Sequence, residues 1–88
     1  MPVKVYLSSH VRSYTDGQAE VTAEGGNLAE LMLDLEAQYP GIRFRVIDEQ
    51  DRIRPHMNFF VGNELARDLR HPIGPGESVH ILGALSGG

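Results

Sequence analysis

The chain has 88 residues, 41% of them apolar and 23% charged, with a formal net charge of −4 and no cysteine. A chain of this length and balance makes one small globular domain that buries roughly 60–65% of its unfolded surface, enough for one core but not for a deep enclosed site as well. The absence of cysteine excludes a disulfide framework, thiolate metal sites and a cysteine nucleophile on this chain, and an acidic balance in which Lys4 is the sole lysine argues against a nucleic-acid partner.

Val3, Val5 and Leu7 alternate with Lys4 and Tyr6, the period-2 pattern of a half-buried strand. Ser8 to Gln18 is mostly polar and reads as a loop, with the turn signal Asp16-Gly17 near its end. Ala19, Val21 and Ala23 then alternate with Glu20 and Thr22, giving a second strand that is expected to pair with the first through a wide hairpin. Gly25-Gly26-Asn27 closes that strand and opens a helix. Asn27 is placed to cap free backbone N–H groups, and Glu30 follows three residues on, as a capping box requires. Leu28, Leu31, Met32, Leu35 and Tyr39 form one apolar stripe, Leu33 falls on the outer face, and Pro40-Gly41 stops the helix.

Residues 42 to 56 read as a short irregular or helical turn around Ile42, Phe44, Val46 and Ile47, followed by an exposed polar loop. Met57, Phe59 and Val61 alternate with Asn58 and Phe60, a third strand with an aromatic on each face. Gly62-Asn63-Glu64 turns the chain into a short piece near Leu65 to Leu69, Pro72 to Gly76 punctuate the next connection, and Val79 and Ile81 alternate with His80 and Leu82 in a last strand. One helix cannot cover both faces of a sheet, so the expected class is α+β: a mixed sheet with one main helix on one face, the β-grasp arrangement of ubiquitin. The open face would carry Tyr6, Phe60, His80 and Leu82, a candidate binding patch. No apolar run reaches the length of a membrane span, and the opening MPVKVYL lacks the marks of a signal peptide. The expected compartment is the cytoplasm, with no membrane partner.

Conventional catalytic signals are weak. His10, His56, His71 and His80 stand at no recognised metal spacing, so no metal site is expected. Asp48, Glu49 and Asp51 lack the glycine turn and closing Glu of a calcium loop and are interleaved with Arg52 and Arg54. Ser8, Ser9 and His10 have no identifiable orienting carboxylate, and Gly25-Gly26 lacks the further glycines or the Lys of a phosphate-binding loop.

The sequence closes on Ala84-Leu85-Ser86-Gly87-Gly88. Gly-Gly reaches most of φ/ψ space and lets backbone thread a channel too narrow for side chains. Residues 85–88 are expected to form a flexible tail beyond a domain of residues 1–84, extending about 13–14 Å. A terminal carboxylate, with a pKa of about 3.5, is an anion and a poor electrophile at neutral pH. It becomes reactive once an enzyme converts it to an acyl-adenylate, after which sulfide or persulfide yields a thiocarboxylate and a lysine amine yields an isopeptide. In neither case must this chain supply an acid, a base or a metal.

With these features in order, the chain resembles the ThiS/MoaD family of ubiquitin-like sulfur carriers. VKVYL looks like the family's opening strand, MNFFVGNEL like its strand, turn and short strand, and GESVHILGALSGG like its final strand and exposed Gly-Gly. Gly62 stands where many members have Asn. The resemblance implies that the carboxylate of Gly88, preceded by Gly87, is adenylated by a ThiF/MoeB-like activating enzyme that uses ATP and magnesium. The carboxylate is then sulfurated, and the sulfur passes to a biosynthetic acceptor enzyme. No cofactor would be bound by this chain itself. The family's apolar contact surface maps onto Leu82, with Phe60, Tyr6 and Leu85 beside it. The acceptor pathway stays open among cysteine, homocysteine, molybdopterin, thiamine and thiocarboxylate metabolites. So do two other readings of the chain: a ubiquitin-like modifier that forms isopeptides, and a β-grasp interaction module without acyl chemistry.

Overall fold

The computed structural model describes residues 2–83, so the expected tail, with Leu85, Gly87 and Gly88, lies outside the described residues. Five strands form one sheet: β1 (Val3–Leu7), β2 (Glu20–Ala23), β3 (Met57–Val61), β4 (Glu64–Ala66) and β5 (Val79–Gly83). Their spatial order is β2-β1-β5-β3-β4, antiparallel throughout except for the parallel β1–β5 pair. The main helix, α1 (Leu28–Gln38), and a shorter one, α2 (Ile42–Val46), complete the β-grasp arrangement. The polar stretch after β1 contains a 3-10 turn at Arg12–Thr15 that sequence alternation does not reveal. It is anchored by Val11 and Thr15, both fully buried, with the Thr15 hydroxyl donating to the Gln18 carbonyl at 2.8 Å.

The inward residues of each strand are those the alternation selects. Val3, Val5 and Leu7, Val21 and Ala23, Met57, Phe59 and Val61, and Val79 and Ile81 are buried, and they meet Leu28, Leu31, Met32 and Leu35 of α1 in one cluster. The start of α1 is satisfied donor by donor. Leu28 and Ala29 donate their N–H groups to the carbonyls of His71 and Leu69, and Glu30 donates its own to Asn27 Oδ1 at 2.9 Å. The Glu30 carboxylate reaches back to the Gly26 N–H at 2.7 Å, so the capping box forms one residue earlier than its simplest version. Gly25 permits the close approach that this turn needs, because a methyl there would stand 2.5 Å from the backbone nitrogen of Leu31. Gly62, at φ +60°, takes the first central position of the two-residue β3–β4 hairpin, a conformation that favours glycine.

Residues 42–46 form a defined helix, and the cause is tertiary. Ile42 and Val46, four apart, are fully buried, while Glu36 of α1 accepts the N–H groups of Gly41 and Arg43, each at 2.9 Å. Those two bonds, that of Gly41 first, hold the Glu36 carboxyl below its ordinary value of 4.5. A carboxyl with a depressed folded-state pKa stabilises the fold fully above its ordinary value and loses that contribution as pH falls through the folded value. Glu36→Ala should therefore cost about 1 kcal/mol at neutral pH, about 4–8 °C in melting temperature for a chain of this size. In thermal unfolding across pH, the gap between wild type and variant should shrink once the pH drops below 4.5.

Candidate functional site

The strand that leads toward the C-terminus, β5, is the middle strand of the sheet, bonded to β1 on one side and β3 on the other. Val79 and Ile81 point into the core, which leaves His80 and Leu82 on the opposite, helix-free face. Register then decides what stands beside them. Tyr6 of β1 and Phe60 of β3 both lie opposite His80, Leu65 lies opposite Phe60, and Glu20 lies opposite Tyr6. The result is a row of side chains across the whole sheet, Glu20–Tyr6–His80–Phe60–Leu65, with Leu82 and Asn58 paired one step nearer the end of β5. The Tyr6 and His80 rings stack with centroids 4.8 Å apart and planes 19° from parallel.

The structure therefore brings Tyr6, Phe60, His80 and Leu82 together as the sequence predicts. Leu82 is 38% exposed, and Tyr6 and Phe60 are half-buried. It also adds Leu65, 46% exposed, which sequence reasoning left out of the patch. The signal was the length of the hairpin: a two-residue turn pairs Val61 with Glu64, which puts Leu65 beside Phe60 on the open face. An apolar centre flanked by exposed Lys4 and Glu20 has the anatomy of a protein-docking surface, with a desolvatable middle and a charged rim.

At the end of this patch Gly83, the last described residue, is held by the end of β1. Ser8 Oγ accepts the N–H of Gly83 at 2.9 Å, and the Ser8 N–H donates to the Ile81 carbonyl at 3.0 Å. A methyl built on Gly83 would stand 3.4 Å from His10 Cβ and 3.5 Å from Met57 Sδ, so both side chains flank the backbone there. Ser8 and His10 thus support the last described residue of β5. Leu85, Gly87 and Gly88 follow it in sequence, outside the described residues.

Asp48, Asp51 and His71 have local structural partners. Asp48 accepts the N–H groups of Gln50 and Arg52 at 2.8 and 3.0 Å, and its carboxyl is held below its ordinary value chiefly by the Arg52 bond. Asp51 pairs with Arg43 at 2.9 Å, which leaves the 48–52 loop a closed turn in place of a cation loop. His71 Nε2 stands 4.0 Å from a Glu64 carboxylate oxygen. Among the described residues, no group of three or more His, Asp or Glu side chains is placed to hold a metal ion, and no helix is long and apolar enough to cross a membrane.

A mixed five-stranded sheet with β5 at its centre and one main helix on one face defines a β-grasp protein of the ubiquitin-like class. Within that class the chain belongs to the ThiS family, whose model matches residues 5–88. It is 38% identical over 93 residues to the sulfur carrier protein CysO of Mycobacterium tuberculosis, with all of both chains covered. The crystal structure of a BexX/CysO complex from Amycolatopsis orientalis matches with a TM-score of 0.89 and 28% identity, over 98% of this chain and 99% of that one. The crystal structure of M. tuberculosis CysO matches with a TM-score of 0.87 and 34% identity, over 94% of this chain and 99% of that one.

The two faces of the sheet differ sharply in what a substitution should cost. Leu82→Asp, on the open face, should change unfolding free energy by no more than about 0.5 kcal/mol. Phe59→Ala, one residue before Phe60 but fully buried, should cost about 3–5 kcal/mol. Denaturant unfolding of the two variants measures both, and a collapse of Leu82→Asp would place Leu82 in the core.

Proposed function

We propose that this chain is a sulfur carrier that holds sulfur as a thiocarboxylate on Gly88. The observation that carries the reading is the full-length match to CysO, which spans all of both chains. In the proposed sequence, a carboxylate oxygen of Gly88 attacks the α-phosphorus of ATP bound with magnesium by a ThiF/MoeB-like activating enzyme, and pyrophosphate leaves. Sulfide then attacks the acyl carbon of the adenylate, AMP leaves, and the thiocarboxylate remains on the chain. The likeness to CysO favours cysteine formation among the acceptor pathways left open by the sequence.

The chain's own contribution is recognition and delivery. Tyr6, Phe60, Leu65 and Leu82 offer the apolar surface on which an activating enzyme docks, with Leu85 following in the tail. The bond from the Gly83 N–H to Ser8 holds the end of β5 in place. The complex of CysO with BexX in A. orientalis supports a carrier that works by binding partner proteins.

Deletion of Gly87 and Gly88 should abolish ATP–pyrophosphate exchange by the activating enzyme while leaving the melting temperature unchanged. Leu82→Asp should weaken that enzyme's binding by about tenfold or more, about 1.4 kcal/mol. Exchange that persists without the two glycines would overturn the reading.

A further inference from the structure

A second exposed aromatic surface lies on the helix layer, away from the open face of the sheet. Because Ile42 and Val46 turn inward from α2, Phe44 between them turns outward and is 60% exposed. Tyr14 on the 3-10 turn is 37% exposed, and the two rings line one open groove with Arg45, Glu49, Arg54 and His56. The Arg54 guanidinium stacks over the Phe44 ring at 4.5 Å while its Nε donates to the Phe44 carbonyl at 2.8 Å. Arg45 and the Nη groups of Arg54 have no hydrogen-bond or ion-pair partner among the described residues. Glu49 is the single carboxylate of the lining.

Charge on the chain is distributed unevenly in a way that singles out this groove. The chain carries a net charge of −4, yet four of its eight basic residues fall within residues 42–56. Arg43 and Arg52 pair with Asp51 and Asp48, and Arg54 shares the field of Asp48 while its guanidinium covers the Phe44 ring, which leaves Arg45 as the unpaired cation of the lining among the described residues. The lining of the groove also adjoins, along the chain, residues that meet Gly83, the last described residue of β5. His56 immediately precedes Met57, which pairs with Gly83, and the turn bearing Tyr14 follows His10, which flanks Gly83.

We propose that this groove is a second docking site, which takes an acidic segment bearing an apolar side chain from a partner protein. The apolar side chain covers Phe44 and Tyr14 while its flanking carboxylates pair with Arg45 and Arg54. The site is separate from the sheet face, so a partner held here leaves Tyr6, His80 and Leu82 free for another. It goes beyond the carrier reading and does not depend on it, because nothing in the recognition involves Gly88.

The test is a nuclear magnetic resonance titration of the isotope-labelled full chain with a ten-residue Asp/Glu peptide carrying one central Phe. Saturable shifts should appear at Tyr14, Phe44, Arg45 and Arg54, weaken with added salt, and leave Tyr6, His80 and Leu82 unmoved. Arg45→Glu and Phe44→Ser should each weaken binding by about tenfold, equivalent to about 1.4 kcal/mol, with unchanged melting curves because both positions are exposed. The proposal is overturned by the absence of saturable shifts, by equal binding of a Lys/Arg peptide, by shifts on the sheet face, or by preference for an oligouridylate. Closure of the groove by a second copy of the chain, seen as concentration-dependent dimerisation, would overturn it as well. None of these outcomes bears on adenylation of Gly88, which the deletion experiment reads separately.

Discussion

The placement of β5 between β1 and β3 is the constraint on which the rest of the molecule depends. A central strand has ladder partners on both edges, so its position along the sheet is fixed twice, once by parallel pairing and once by antiparallel pairing. Its inward residues, Val79 and Ile81, are fully buried, and a slip of one residue would drive His80 and Leu82 into the core. The same register that forbids this slip aligns Tyr6, His80, Phe60 and Leu65 into one row. The buried core and the apolar open face are therefore two consequences of one alignment, and the position of Gly83 beside Ser8 is a third.

Under the proposed function, this arrangement lets a small acidic chain take part in covalent chemistry by presenting a group on which another protein acts. In that reading the chain has to be recognised and has to present one reactive group, while activation falls to the enzyme that binds it. The absence of cysteine sharpens the point, since sulfur on this chain cannot be held as a persulfide or disulfide. In the proposed function the acyl carbon of Gly88 is the place left for it. Ser8 illustrates the economy of the design: beside His10 its hydroxyl resembles a nucleophile, yet its bond is to the Gly83 N–H, and its effect is to hold the last strand in place.

Much of this was legible in the sequence because the relevant forces are local. Alternation identified β1, β3 and β5 and assigned Phe59 and Phe60 to opposite faces, and the stripe of Leu28, Leu31, Met32 and Leu35 with the Asn27 cap identified α1. What escaped depends on contacts distant in sequence. The five-residue helix α2, where the sequence offers an irregular or a helical turn, is too short for periodicity to settle and is held by Glu36 from the preceding helix. Leu65 joins the patch only through the register of a hairpin, and the groove around Phe44 exists only because α2 is a helix. The parallel pairing that puts β5 in the centre joins the first and last strands, which no local pattern reports.

The most direct measurement is the intact mass of the full chain after incubation with its activating enzyme, ATP, magnesium and sulfide, followed by fragmentation of the product. A carrier gains the difference between one sulfur and one oxygen atom, localised to Gly88. A chain that stays unchanged, carries the sulfur elsewhere, or is recovered only as isopeptides on target lysines would contradict the account.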